Sequence, residues 1–432
     1  MLDSALDSLK KRWTIMVYLA GDNNLDGAGV VDLQEMKAVG SSADVNVIAQ
    51  FDRAGAGQQT RRYYLRKAST LEQDGVASLG ETNTGDPTVL ENFANWGIAN
   101  YPAEHYMLVL WNHGAGWDDT NVYRTAHALN LDIERKGKPV LRSANANVAA
   151  SVMTTQQARQ ISEKRFHRAL FRTTIENAMH SRAIAFDDNA QDFLDNVETK
   201  RVMSAIKKTL GQKLDVLGMD ACLMSMAEVA YQVRDDVAFT VGSEQTEPEA
   251  GWPYDTILAE LVAKPTMTPR ELSKLIVKKY IASYASSEAV TQSAFDLARS
   301  EALGGAIGAL GQALMAGLAS APMLNAIVLA RNQVQRYATE DYVDLVDLCQ
   351  LLRAKTTQAK ITSACNSVLA VAGAGKFVVA NGYKGKAMAH SKGVSVYFPL
   401  RFISPLYATL DFAKNTDWDE FLRAYVKAMA RA

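Results

Sequence analysis

Two side chains in this sequence could form a nucleophile and its base: Cys222 and His113. A cysteine attacks carbonyl carbon as a thiolate, so it needs a lowered pKa or a neighbouring base. Cys222 follows the apolar run LDVLGMDA. It stands on the turn into a helix, with Leu223, Met226, Val229 and Ala230 at helical spacing. There the positive end of the helix would favour the thiolate. His113 follows the run MLVLW and is flanked by Gly114 and Gly116. Glycines at that point let backbone approach a substrate closely and present N–H groups to an oxyanion. A lone cysteine is most often a buried structural thiol, and a lone strand-end histidine is more often structural than catalytic. Cys349 and Cys365, set in apolar helical patterns, take that structural reading. The pairing gives the other two their weight, because loops at the ends of two strands of one sheet can bring an imidazole to a thiol without sequence proximity.

The elements that must position this pair read as an alternation of strands and helices. Trp13–Ala20 is a nearly continuous apolar run, as in a strand buried on both faces. After Gly21 the stretch DNNLD supplies capping residues, and Val30, Leu33, Met36 and Val39 recur at helical spacing until Gly40. Val45–Phe51 is a second strand and Arg61–Leu65 a short edge strand. Asp86-Pro87 opens a helix to about Asn100. Met107–Trp111, Leu214–Leu217, Ala238–Val241 and Val394–Phe398 are further strands. The pattern predicts a three-layer α/β/α sandwich with a mostly parallel central sheet. In such sheets the ligand crevice lies beyond the carboxyl ends of the strands, where His113 and Cys222 both fall.

The predicted organisation is a core over residues 1–264 and a largely helical region over 265–432, packed on the core, with a returning strand near 393–399. From about residue 121 to 182 the strand pattern stops, and a basic segment intervenes that includes Arg142 and Arg182.

Composition narrows the partners. The 46 basic and 47 acidic residues among 432 leave a net charge of -1 and are spread along the chain, so neither nucleic acid nor an acidic tail is implied. Three cysteines make no disulfide framework, and none lies at metal-ligand spacing. No GxGxxG or GxxxxGK[ST] occurs, and the acidic turn after the first strand would repel a phosphate. No apolar run is long enough to span a bilayer. The N-terminus MLDSALDSLKKRW lacks the order of a signal peptide, so the expected compartment is the cytoplasm, or the exterior if a leader has been removed.

Five strings in order, WTIMVYLAGDNNLD, LVLWNHGAGW, LDVLGMDACLMSMAEVAYQVRD, GSEQTEPEAGWPYD and KGVSVYFP, resemble the clostripain family of cysteine peptidases, whose fold is shared with caspases, legumains and gingipains. The resemblance implies His113 as catalytic base, Cys222 as nucleophile, and endopeptidase cleavage after Arg or Lys of peptide and protein substrates. It implies an S1 acid at Asp220; a second acid is sought among Glu247, Glu249 and Asp255. The N–H groups of Gly114 and Cys222 would form the oxyanion hole. It also implies a latent single chain activated by cleavage between the histidine and the cysteine, an activating partner or ligand included. Within the basic segment Arg182 is the first candidate processing site and Arg142 the second. No cofactor is required for the chemistry. Calcium is an activator carried by the family, and Asp118, Asp119, Asp187 and Asp188 are candidate oxygen donors. The competing expectation is a catalytically idle scaffold that keeps the fold and binds a partner through the basic insertion.

Overall fold

The structure, a computed structural model, describes residues 10–55, 57–114, 116–117, 184–187 and 192–431. The basic segment with Arg142 and Arg182, and the aspartates at 118, 119 and 188, lie outside the described residues.

In chain order the main elements are β1 (Lys11–Gly21), α1 (Asp26–Val39), β2 (Val45–Arg53), β3 (Thr60–Tyr64), β4 (Gly75–Gly80), α2 (Pro87–Asn100) and β5 (Ala103–Trp111). Then come β6 (Ile184–Asp187), β7 (Asp192–Leu194), α3 (Asn196–Leu210), β8 (Leu214–Asp220), α4 (Ala227–Val233), β9 (Val237–Gly242), α5 (Tyr254–Ala263) and α6 (Pro269–Ser283). The remainder holds β10 (Thr291–Asp296), α7 (Ser300–Gly317), α8 (Ala321–Gln333), β11 (Tyr342–Asp344), α9 (Leu345–Lys355), α10 (Ala359–Ala372), β12 (Val378–Tyr383), β13 (Ser395–Tyr397) and α11 (Trp418–Met429). The chain divides into two compact units: Met1–Cys222 with Glu247–Met267, and Leu223–Thr246 with Thr268–Ala432.

In the first unit the strands run in the order β8-β5-β1-β2-β3-β4. The first four are mutually parallel, and β3 and β4 add antiparallel strands. Every residue from Trp13 to Ala20 is buried, which is why β1 is apolar on both faces. The sheet is covered on both sides, as strand parity requires. In the first layer Gly29 of α1 faces Phe51 and Trp111, both in register with Leu19; in the other, Gly97 of α2 faces Met16 and Ile48, a register pair of opposite parity. The predicted three-layer arrangement with parallel strands at its centre is therefore present. Local signals act as read: Asp86 caps α2 by accepting from the Thr88 N–H, with Pro87 in its first turn. The segment 61–65 forms β3, but β4 lies outside it, so β3 is not the edge strand.

The second unit is richer in strands than its sequence suggests. β9, β10 and β12 pair antiparallel, and β11 pairs with β13. β10 (TQSAFD) and β12 (VVANGY) carry too many polar and small residues to give a clear apolar signal. α6 packs on β9, β10 and β12, while α7 and α10 pack on each other, with Leu303, Ile307, Leu310, Leu314, Ile361 and Val368 buried.

Candidate active site

The site grows from one register match. β5 and β8 are adjacent and parallel, and Trp111 pairs with Asp220 as the last residues of the two strands. His113 and Cys222 each stand two residues further on. Equal offsets from a paired position on parallel strands put the two side chains at the same level of the same edge. The ladder continues one step, with the Asn112 N–H donating to the Asp220 carbonyl at 3.4 Å. The two loops then touch. A Cβ on Gly114 would lie 2.6 Å from the Cys222 carbonyl oxygen and 2.7 Å from the Ala221 Cβ, so only glycine permits this approach. Gly116 holds φ 79°, a left-handed conformation that favours glycine. Beyond it, the Asn196 side chain at the start of α3 donates to the Gly116 carbonyl at 3.2 Å and the Trp117 carbonyl at 3.1 Å, pinning the histidine loop.

Around the thiol the structure corrects one expectation. Cys222 does not sit on the first turn of a helix: α4 begins only at Ala227, with Met226 before it. Residues 221–226 form an irregular turn in which Leu223 holds φ 64°, the one non-glycine residue at positive φ among the described residues. A side chain there costs roughly 1–2 kcal/mol. The apolar spacing of Leu223 and Met226 reflects burial in this turn rather than helix, so Cys222 is not part of the first turn of α4. A backbone N–H does reach the sulfur. The Glu247 N–H donates to Cys222 Sγ at 3.3 Å, an interaction that strengthens when the sulfur carries charge.

The histidine is oriented from the turn after β1. His113 Nε2 lies 2.8 Å from Asn24 Oδ1. The His113 backbone N–H bonds the side chain of Asn112, whose Nδ2 donates to the Ala20 carbonyl at 2.6 Å. Sequence reading took DNNLD as a capping segment and an acidic, phosphate-repelling turn; the signal missed was a run of amides at a parallel strand end.

The predicted acids fall in different places. Asp220 is fully buried, and its Oδ2 accepts the Tyr254 hydroxyl at 2.8 Å. It does not cap α4, which starts seven residues later. Glu247 is fully buried, Glu249 is half-buried, and Asp255 is exposed at the start of α5, its carboxylate accepting the Thr256 N–H at 2.6 Å. An acid that the sequence did not suggest lies nearby: Glu35 of α1 accepts the Tyr254 N–H at 3.1 Å. Burial first, and then the charges of Asp255 and Asp220, raise its carboxyl above the ordinary range. Tyr254 thus touches two carboxyls, by its hydroxyl and by its backbone.

His113 is 1% exposed and Cys222 0%. Cys349 and Cys365, read as structural, are buried and unbridged. Among the described residues, Asp22, Asp52 and Glu81 place carboxylate oxygens within 4.8 Å of one another, at the ends of β1 and β2 and just after β4. Asp187 ends β6, apart from this set in sequence. Also among the described residues, no helix is long and apolar enough to cross a membrane.

The chain matches the profile of the Clostripain family (Peptidase_C11) over residues 17–141 and 172–425. It belongs to that family. Clostripain of Hathewaya histolytica is 30% identical over 244 residues, which are 51% of this chain and 36% of that protein, so the match spans about a third of the relative's length. Two solved structures share the fold. A secreted C11 cysteine protease from Bacteroides thetaiotaomicron, bound to an irreversible peptide inhibitor, has a TM-score of 0.60 at 18% identity, covering 95% of this chain and 100% of that one. An inactive zymogen C11 protease from Parabacteroides distasonis has a TM-score of 0.61 at 19% identity, covering 94% and 98%. As a member of the Clostripain family, the chain carries the family's cysteine-peptidase fold with a histidine and a cysteine at the register-matched strand ends.

Proposed function

We propose that the chain is a cysteine endopeptidase that cleaves after Arg or Lys. The observation that carries this reading is the β5–β8 register, with Gly114 packed on the Cys222 backbone. His113 takes the thiol proton of Cys222, and the sulfur attacks the carbonyl carbon of the scissile bond. The N–H groups of Gly114 and Cys222 stabilise the oxyanion. The imidazolium returns its proton to the leaving amine, and a thioester remains. Water, deprotonated by His113, hydrolyses that thioester and frees the thiol.

Asp220 receives the basic P1 side chain. A guanidinium meeting this buried carboxylate gains a charge-assisted contact of about 2–5 kcal/mol, in exchange for the Tyr254 hydroxyl now bound there. Glu35, held beside it through Tyr254, adds negative potential to the same wall. The burial of His113, Cys222 and Asp220 in the uncut chain supports a latent form opened by cleavage within residues 121–182, after Arg182 or Arg142. Such latency would spare neighbouring proteins in the cytoplasm or during export. An activating partner could act by the same opening.

Calcium fits the set Asp22, Asp52 and Glu81 by the chemistry of its donors, since hard carboxylate oxygens are what that ion takes. Those three side chains would hold it, and bound there it would supply positive charge beside the β1 turn. A fluorogenic panel with Arg, Lys and neutral P1 residues, with and without calcium, tests the reading. Wild type should cleave the basic peptides, Cys222→Ala none, and Asp220→Asn should lose roughly thirty-fold or more on basic peptides alone. Cleavage that survives Cys222→Ala would overturn the mechanism; no cleavage in any condition, with the chain cut in the insertion, would favour the scaffold.

A further inference from the structure

Asn24 is exposed, yet its side-chain oxygen sits 2.8 Å from His113 Nε2. We propose that Asn24 is the positioning residue of the catalytic imidazole, fixing its tautomer and stabilising its protonated form. This rests on His113 being the base.

The turn that carries Asn24 is built for the purpose. Asn23, buried, donates from Nδ2 to the Ala20 carbonyl at 3.0 Å and accepts the Leu25 N–H at 2.8 Å. Its Nδ2 also reaches Asn112 Oδ1 at 3.4 Å. Asn112 returns a bond from its own Nδ2 to the same Ala20 carbonyl. Three amides thus lock the turn after β1 to the turn after β5, two parallel strands paired through Leu19 and Trp111. Asn24 and His113 are the members of this network that face chemistry.

Because the partner atom is an oxygen, Nε2 must carry the proton and donate it. That tautomer assigns Nδ1 to the exchange with the thiol. An amide oxygen accepts from Nε2–H in both the neutral and the protonated ring, but binds the imidazolium more strongly. The ion pair formed when Cys222 loses its proton is therefore favoured without a permanent negative charge at this position. Among the described residues, titratable groups on the neighbouring segments include Asp22 on the same turn, Asp220 and Cys222 at and just after the end of β8, and Glu247 on the segment that bonds Sγ. A hydrogen bond made by an exposed side chain adds little to folding, so replacing Asn24 leaves the fold intact while changing the ring.

The test uses the full chain with Asn24→Ala, Asn24→Asp and His113→Ala, each brought to the same extent of processing by intact mass. It measures kcat and KM on an Arg-P1 peptide across about pH 5 to 10, together with urea midpoints. Asn24→Ala should lower kcat by roughly 10- to 100-fold with KM and midpoint unchanged, and move the alkaline limb of the rate profile to lower pH. Asn24→Asp should restore most of the rate and move that limb to higher pH, since a carboxylate holds the imidazolium longer. Wild-type kcat and an unmoved alkaline limb in both Asn24 variants, with His113→Ala inactive, would overturn the role of Asn24 alone. Full Cys222-dependent activity in His113→Ala would instead remove the base assignment.

Discussion

Gly114 shows how narrow the tolerance around the thiol is. A methyl group there would press on the Cys222 carbonyl and on Ala221, and backbone atoms cannot yield as a flexible side chain can. Gly114→Ala should therefore displace the histidine loop from the cysteine loop. The expected result is a loss of about 100-fold or more in kcat/KM, the scale attached to a misplacement of about 1 Å, with a stability loss of about 1–3 kcal/mol by urea unfolding. Near-normal turnover would mean that the two loops need not touch. Both groups already have internal contacts: Sγ takes the Glu247 N–H and Asp220 Oδ2 takes the Tyr254 hydroxyl, which is the arrangement the proposed latency would rest on.

At the scale of elements, β1, β2, β5 and β8 were legible because strands buried on both faces must be apolar throughout, and the run MLVLW ending at Asn112-His113 is of that kind. The pair at the strand ends was legible for the same reason, since position after a parallel strand is itself a functional signal. The positioning groups were not. Asn24, Asn196, Tyr254 and Glu35 act through contacts between segments far apart in sequence, and nothing in spacing announces which amide or carboxyl will meet which loop. The turn at 221–226 was misread as helix because buried residues in an irregular turn can mimic helical spacing. In the second unit, α4 carries a different kind of element-level feature. Glu228 is fully buried, its Oε1 accepting the Tyr397 N–H and the Tyr407 hydroxyl, each at 2.9 Å. Burial pushes its pKa up to about 7. A carboxyl raised in the folded state contributes stability that is fully present below its unfolded pKa, about 4.5, and is lost as pH rises through about 7. Asp344, raised to about 6 chiefly by burial, acts in the same direction. Glu228→Gln should therefore remove part of the loss of stability between about pH 5 and 8, an effect of up to about 3 kcal/mol in urea midpoints compared at the two pH values. A variant with the wild-type pH dependence would show that Glu228 is not the titrating group.

At the scale of the whole molecule, His113 and Cys222 are both buried, and the proposed activation would cut within residues 121–182, between β5 and β8 in sequence. Intact-mass analysis during incubation checks this. Wild type should convert to two fragments with a new end after Arg182 or Arg142, whereas Cys222→Ala should stay whole. Equal cutting of both would point to another protease, and two intact chains would show that the chain does not cleave itself. The claim on which all else depends is that Cys222 is the nucleophile and recognises a basic residue. Its most direct measurement is covalent capture: a peptide ending in an arginyl chloromethyl ketone, incubated with chain cut within 121–182 and with calcium, followed by peptide mapping. One adduct on Cys222, blocked by Asp220→Asn and absent from Cys349 and Cys365, is the predicted result. An unmodified Cys222, or alkylation of Cys349 or Cys365 in its place, would contradict the account.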